Sequence, residues 1–434
     1  MQTIKTTTIS FKGPGGWYPC RGVGYRFLGA IYIIMLTALP GFTKTITVCK
    51  RCEINTIQKA VQSAEKGDIV EVHHGIYLEN NIVINKPISI KGRDLPAIDG
   101  QNQGEIFTII ADSVTLTGLM IRNVGTSYTK DQAGINVKKS RGTVISDNIL
   151  YNTFFGIYLQ NSSHCTIVNN KITGEAEHEM SSGNAIHLWY CKNILIKNNR
   201  IRNHRDGIYL EFVDNSQIIN NVSEENIRYG LHFMFSNGDK YLGNTFRNNG
   251  AGVAVMFSRN IIMHENMFLQ NWGPTAYGLL LKEIYDGEIT RNQFIQNTIA
   301  IYGESATRLL IKHNLFKQNG WALKILGSCM DNTITKNDFI SNTFEVSTNS
   351  KRNYNSYDGN YWNDYTGYDL DRDGVGDVPH RPVKLFSYMV TRVDPSIILL
   401  RSLFVDIVNF AEKVTPVFTP ETLLDNHPLM KPVL

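Results

Sequence analysis

Along most of the chain one phrase recurs: apolar, any residue, apolar, then Asn, with another apolar residue two places on. The marker stands at Asn148, Asn170, Asn199, Asn221, Asn244, Asn266, Asn292, Asn314 and Asn337, in steps of 22, 29, 22, 23, 22, 26, 22 and 23. A small residue opening a strand repeats independently at Gly134, Gly156, Ala185, Gly207, Gly230, Gly252, Gly278, Ala300 and Ala322, in steps of 22, 29, 22, 23, 22, 26, 22 and 22. Both series share one period and lengthen at the same two places. Between the markers lie short alternating apolar runs and Asn/Gly turns, with no helical periodicity. One such coil cannot bury its apolar face alone, so many must stack. The pattern predicts an all-β chain, a right-handed parallel β-helix with coils of about 22 residues.

After each small marker the next and third residues are apolar, as in Ile157 and Leu159, Ile208 and Leu210, Leu231 and Phe233, and Val253 and Val255. Strand alternation points these inward and the residues between them outward. Phe246, Phe268, Phe294, Phe316 and Phe339 should stack as an inner ladder. Asn226, Asn249, Asn271, Asn297, Asn319 and Asn342 should form a second turn ladder beside the markers, amide to amide. Less regular coils fill residues 45–125, with a capping helix near 56–64. The two lengthened steps place insertions within 171–184 and around Trp272-Gly273-Pro274, and solenoid insertions gather as loops on one face.

The repeat breaks at Gly359. From Asp394-Pro395-Ser396 onward an amphipathic helix is expected over about 395–414, its polar residues Ser402, Asp406, Asn409 and Lys413 in one narrow stripe. It is too short and too charged to span a membrane. It reads as a helix on a membrane surface, docked on a partner, or capping the last coil. The expected division is a signal peptide at 1–43, the β-helix at 44–358, an Asp-rich end segment at 359–392 and the helix with its tail at 393–434.

Composition narrows the compartment. The net charge of +4 is scattered and forms no basic stripe, which argues against a nucleic-acid partner. Lys5, Lys12, Arg21 and Arg26 lead into the apolar run 27–39, which Pro40-Gly41 follows. The run is shorter than the roughly 20 residues that span a bilayer, so it reads as a cleaved export signal rather than an anchor. Export implies an oxidising compartment, a periplasm in a Gram-negative source. Of six cysteines, Cys20 leaves with the signal, and Cys49 and Cys52 read as a disulfide, an ordinary thiol pair or a soft-metal pair.

Asp369, Asp371, Asp373 and Asp377, with Gly374 at the sixth position, follow the spacing of a calcium loop. Four carboxylates so close would repel one another without a cation. His380 stands at position 12 in place of the usual Glu, and a plain Asx-turn loop is the alternative.

The phrases GNAIHLW, RDGIYLE, RYGLHFMFSN, GNYWNDYTGYDLDRDGVGD and the tail DNHPLMKP, from about residue 183 to the C-terminus, resemble the NosD family. Those are periplasmic β-helical accessory proteins of nitrous oxide reductase maturation. The first part of the chain is similar only to the wider class of carbohydrate-active β-helices. The resemblance implies a role in building the copper centres of nitrous oxide reductase, together with an ABC transporter whose permease the C-terminal helix would meet, and a copper-donating lipoprotein. It implies no turnover chemistry in this chain.

Ligand chemistry falls on one outward stripe. Two places after successive small markers stand His187, Tyr209, His232 and Ala254, and four places after stand Trp189, Glu211, Met234 and Met256. Imidazole and thioether suit copper(I), and His232, Met234 and Met256 are expected to converge, facing solvent. The long insertion, with His178 and Met180, enters just before the His187 coil and would fold over the stripe. His187 and His232 are two coils apart, roughly 10 Å, too far to share one ion. The alternative is a docking face for a partner, and Arg205, Asp206, Arg228 and Glu211 read as a structural charge cluster or part of that face. His427 and Met430 in the tail are ligand types too isolated to define a site. The rival function is a polysaccharide lyase, hydrolase or epimerase, by fold analogy. It needs a carboxylate pair or a base placed beside an extended groove, and Glu211 and Glu304 fall four coils apart, roughly 19 Å, too far for such a pair. A binding scaffold unrelated to copper is the third reading.

Overall fold

The computed structural model describes residues 43–434 except 128, 415–418, 421 and 434, and, for residues 394 and 413, the backbone alone. The expected signal peptide, but for Thr43, lies outside the described residues. From Thr45 the chain forms a parallel β-solenoid of about 14 turns. A typical coil contributes three short strands, as in Asp206–Glu211, Gln217–Ile219 and Val222–Glu224. Each pairs in parallel with its counterpart one coil on, Ile208 opposite Leu231 and Leu210 opposite Phe233. The third faces make a 13-stranded sheet. The first two faces merge into one sheet because Ala251–His264 and Tyr277–Thr290 run through the intervening turn without a break.

The interior follows the predicted alternation. Ile157, Ile186, Ile208, Leu231, Val253, Leu279, Ile301 and Leu323 are buried as one column. The Phe ladder stacks with centroids 5.6, 4.5, 5.1 and 4.8 Å apart from Phe246 to Phe339, and Trp362 extends it at 4.1 Å. Each marker Asn is buried at a turn. The Asn266 carbonyl accepts from Asn244 N at 2.9 Å and from its Nδ2 at 3.0 Å. Its own amide donates to the Tyr241 carbonyl at 2.8 Å and to Asn292 Oδ1 at 3.0 Å. The second ladder repeats the device, as at Asn297 and Asn319.

Both open ends are covered. At the start, α1 (Ile57–Ser63) buries Ile57, Ala60 and Val61, and its first amides, from Ile57 and Gln58, donate to the Glu79 carboxylate. At the far end the marker ladder passes through Asn360 to Asp425 of the tail. The Asp425 carboxylate accepts from Gly359 N, Asn360 N, Asn360 Nδ2 and Trp362 Nε1 at 2.9–3.1 Å.

The C-terminal helix differs from expectation. In place of one helix over 395–414 there is a 3-10 turn, Asp394–Leu399, and a separate helix, Leu403–Val414, with Arg401 in the left-handed region between them. An unforeseen helix, Leu385–Arg392, precedes both. In chain order these are α2 (Leu385–Arg392) and α3 (Leu403–Val414). The bends bring Phe386 and Val390 of α2 and Val405 of α3 onto Phe344 of the last coils, a packing no single straight helix over 395–414 provides. Cys49 and Cys52 are joined in a disulfide, which removes both thiolates as metal ligands.

One core group sets a pH dependence. Asp239 is fully buried, accepting from Ser216 N at 2.7 Å and Tyr241 Oη at 3.3 Å, and burial pushes its pKa up to about 8. Below the unfolded value of about 3.9 both states hold the proton. As pH rises from there toward 8 the unfolded chain releases a proton that the native state keeps, and stability falls. Asp239→Asn should therefore gain stability over wild type as pH rises from about 5 to about 8, by up to ~1.4 kcal/mol per pH unit. Urea midpoints across that range would show it, and a difference independent of pH would contradict it.

Candidate functional site

The expected outward columns are in register. His187 pairs with Tyr209, Tyr209 with His232 and His232 with Ala254, while Trp189, Glu211, Met234 and Met256 follow beside them. The imidazoles do not face open solvent as the alternation alone implied. His232 is only 6% exposed, and His187, Met234 and Met256 are partly covered. The cause is ring packing: Phe155 stacks on Tyr158 of its own strand at 5.5 Å, and across coils Tyr158 meets His187 at 4.5 Å and His187 meets Tyr209 at 4.7 Å, both tilted, while Tyr209 meets His232 edge-on at 5.0 Å. Tyr229 covers His232 from its own strand at 4.9 Å. The Tyr209 ring therefore separates the two imidazoles, in keeping with two coils' distance.

Burial holds both imidazoles in the neutral form, pulling His187 down to about 3 and His232 to about 4. A neutral imidazole offers a lone pair to a metal at ordinary pH. His187 Nδ1 meets the Asn184 amide at 3.3 Å, whereas neither nitrogen of His232 has a hydrogen-bond partner. An orphaned imidazole of this kind, one strand step from Met234 and one coil further from Met256, fits a soft cation.

Beside this stack the charge cluster is structural at its core. Asp206, fully buried, accepts from Arg228 Nε at 2.9 Å and from Tyr229 N at 3.3 Å. Arg228 reaches on to Glu179 of the long insertion at 3.2 Å, so the insertion is tied to this face. His178 and Met180 flank that tie and stand exposed on the loop, Met180 almost completely so, and neither joins the stripe.

A third column was not anticipated. Tyr190, Phe212, Phe235 and Phe257 stack at 4.5, 5.1 and 5.0 Å with nearly parallel rings. Each lies five places after a small marker, in the left-handed region at φ 50–54°. Lys139, Asn161, Glu283 and Ser305 hold that turn on other coils, so four successive aromatics at a strained position were a readable signal. The rings cover one another, yet Tyr190, Phe235 and Phe257 stay 49, 39 and 36% exposed, the last two next in sequence to Met234 and Met256.

In the Asp-rich loop, one carboxylate oxygen from each of Asp369, Asp371 and Asp373 lies within 4.8 Å of the others. Asp377 is not in that group, and its Oδ2 accepts from Leu370 N of the same loop at 2.7 Å. Backbone amides of Gly374 and Val375 donate to Asp369 and Asp373, while Asp369 Oδ1 is covered and unpartnered. His380 turns away from the loop to Glu345 at 3.0 Å and stacks on Trp362. The tail straps the loop through Gly376 N to the Pro428 carbonyl and Met430 N to the Gly374 carbonyl. On α3 an apolar face is open, with Leu403 73% and Phe410 69% exposed, Ile407 between them. Glu211 and Glu304 do lie four coils apart in one column, and Glu304 pairs with Lys282 at 3.5 Å.

Solved structures similar to this chain share its fold at low identity. A surface adhesin of Streptococcus pneumoniae, PfbA, superposes with a TM-score of 0.59 at 13% identity over 70% of this chain and 100% of its own. The catalytic unit of an α-1,3-glucanase from Streptomyces thermodiastaticus gives 0.58 at 11% identity over 71% of this chain and 66% of its own. Sequence relatives are more specific. A protein of Pseudomonas aeruginosa named "Probable ABC transporter binding protein NosD" is 30% identical over 370 residues, covering 81% of this chain and 86% of its own. One of the same name from Stutzerimonas stutzeri is 27% identical over 374 residues, covering 81% and 85%. The family described as periplasmic copper-binding protein (NosD) matches residues 54–182 and 168–367, nearly the whole solenoid, and the chain belongs to that family.

Proposed function

We propose that this protein is an exported accessory factor in assembling the copper centres of nitrous oxide reductase, acting with an ABC transporter and passing copper(I). The observation that carries the reading is the buried, neutral and unpartnered His232 imidazole beside Met234 and Met256, in a chain of the copper-binding family. His232, Met234 and Met256 would hold the ion in transit, with His187 in the same stack. The exposed aromatic edges beside them suit a face that a copper donor or acceptor covers during transfer. A polysaccharide-cleaving enzyme would need a carboxylate pair or a base beside an extended groove, and the Glu211 column offers no such pair.

Replacing His232, Met234 and Met256 together by Ala, Leu and Leu should remove most copper(I) binding, measured anaerobically by competition with a chromophoric chelator, while circular dichroism stays unchanged. Undiminished binding would sink the assignment.

The partner contact proposed for the C-terminal region is the α3 face with Leu403, Ile407 and Phe410, meeting the transporter permease. Truncation before α3 is a poor test, because it also removes Asp425 and leaves the marker ladder without its last acceptor. Ile407→Glu with Phe410→Glu leaves that end intact. The double variant should keep its melting temperature and lose co-purification with the transporter, and retained association would refute the contact.

For the loop we propose calcium, held by Asp369, Asp371 and Asp373, with the uncompensated Asp369 Oδ1 as the strongest local sign. Added calcium should raise the melting temperature of wild type and leave an Asp371→Asn/Asp373→Asn variant unchanged. Equal shifts, or none in wild type, would count against it.

A further inference from the structure

The first strand, Thr45–Val48, leads toward α1 through the turn Cys49-Lys50-Arg51-Cys52, whose two sulfurs are joined. As a staple this disulfide does little. It joins residues three apart, and the gain from closing a loop is smallest for the shortest loops. The backbone closes the same turn unaided, Cys52 N donating to the Cys49 carbonyl at 3.1 Å and Cys49 N to the Ile54 carbonyl at 3.3 Å. The turn is anchored to the second coil by Tyr77, whose hydroxyl lies 3.2 Å from the Val48 carbonyl and 2.8 Å from that of His73. Nor does the capping helix depend on the bond. Glu79 holds the first amides of α1, and Lys86 Nζ donates to the Val61, Gln62 and Ala64 carbonyls at its other end, at 3.3, 2.9 and 2.6 Å.

The surroundings of the bond suit exchange chemistry instead. Cys49 and Cys52 are both partly exposed, so a thiolate from outside can reach the sulfurs. Exposed disulfides are the ones that exchange, whereas those shut in a core resist reduction. Lys50 and Arg51, both exposed, stand between the two cysteines, against one acid, Glu53, just beyond them. Neighbouring cations stabilise a thiolate, and the sulfur that leaves as the more stable thiolate leaves faster. The other cysteines of the solenoid show the contrast. Cys165, Cys191 and Cys329 are buried free thiols, and burial pushes Cys191 up to about 12. They are inert where the Cys49–Cys52 pair is open to attack.

We propose that Cys49–Cys52 is a redox-active disulfide that accepts two electrons from a protein dithiol of the thioredoxin type. A thiolate of the partner attacks one of the two sulfurs, the Cys49–Cys52 bond breaks, and a mixed disulfide forms between the chains. The other cysteine leaves as a thiolate beside Lys50 and Arg51 and takes up a proton. The partner's second thiolate then attacks its own half of the mixed disulfide. The partner departs as a disulfide, oxidised by two electrons, and this chain keeps Cys49 and Cys52 as two thiols. The Tyr77, Glu79 and Lys86 contacts hold turn and helix in place in both states. The activity is independent of the His232 stripe and of the copper reading.

The test incubates the folded, full exported chain with reduced thioredoxin, quenches with acid, alkylates and maps the label by mass spectrometry. Cys49 and Cys52 should be labelled together while Cys165, Cys191 and Cys329 stay unlabelled. Circular dichroism of the reduced chain should match that of the oxidised one, with a melting temperature within a few degrees of it. Thioredoxin lacking its second cysteine should be trapped as a mixed disulfide by the wild-type chain. Lys50→Glu with Arg51→Glu should slow the exchange severalfold and leave the melting temperature unchanged. Labelling that appears only after unfolding in guanidinium overturns the proposal. So does a reduced chain that loses its fold, since the bond is then a staple, or a failure to trap the mixed disulfide. An exchange rate untouched by the charge reversal removes Lys50 and Arg51 from the mechanism and overturns it in the form given.

Discussion

The structure depends on hydrogen bonding by buried Asn side chains at its turns. A coil that wraps a dry core must bend, and every bend turns backbone N–H and C=O groups away from water. An Asn side chain has the donors and the acceptor to satisfy such groups in the preceding coil while donating to the Asn of the next. From Asn148 onward each marker does this, and the residue before each lies in the left-handed region that lets the chain turn inward. Such a series needs an end, because its last amide would lack an acceptor. Asp425 is that end, and its carboxylate also takes the indole N–H of Trp362, which closes the Phe column. One carboxylate thus terminates two ladders and binds the C-terminal tail to the solenoid.

With the interior held this firmly, the outward face becomes an ordered surface on which chemistry varies coil by coil. In one outward column Tyr158, His187, Tyr209 and His232 stand between Asn136 and Ala254, and in the next Met234 and Met256 stand between Glu211 and Lys282. Stacking between these rings excludes water from the imidazoles and keeps them neutral. A separate column, Tyr190, Phe212, Phe235 and Phe257, stacks at the turn beside the methionines, at backbone positions that are left-handed on other coils as well. The buried Asp206–Arg228 pair joins this surface to the insertion, so loop and stripe share one support.

The two ends of the solenoid solve the open-edge problem differently. At the start, a short helix lies across the first coil and is pinned by Glu79. At the far end, α2 covers Phe344 and Trp321, α3 adds Val405 to the same cluster, and the tail continues the solenoid by bridges at Asp425 and Leu429. Only part of α3 is used in this way, and its remaining apolar residues are left on the surface.

What the sequence by itself determined is everything that repeats. The period, the inward Phe column, both Asn ladders and the register of His187, His232, Met234 and Met256 were legible because a solenoid residue contacts its counterpart one period away. Contacts at a constant separation leave a constant spacing in the sequence. Tertiary structure alone decided what is not periodic. His232 is covered because Tyr209 and Tyr229 lean over it, which alternation cannot express. Asp377 holds Leu370 N of the loop without joining the three clustered carboxylates, and His380 turns to Glu345. The C-terminal helix broke at Arg401 so that two segments could reach one apolar cluster. Asp425 ends a ladder whose last Asn lies 65 residues earlier, a separation that matches no repeat and is set only by where the chain finally returns.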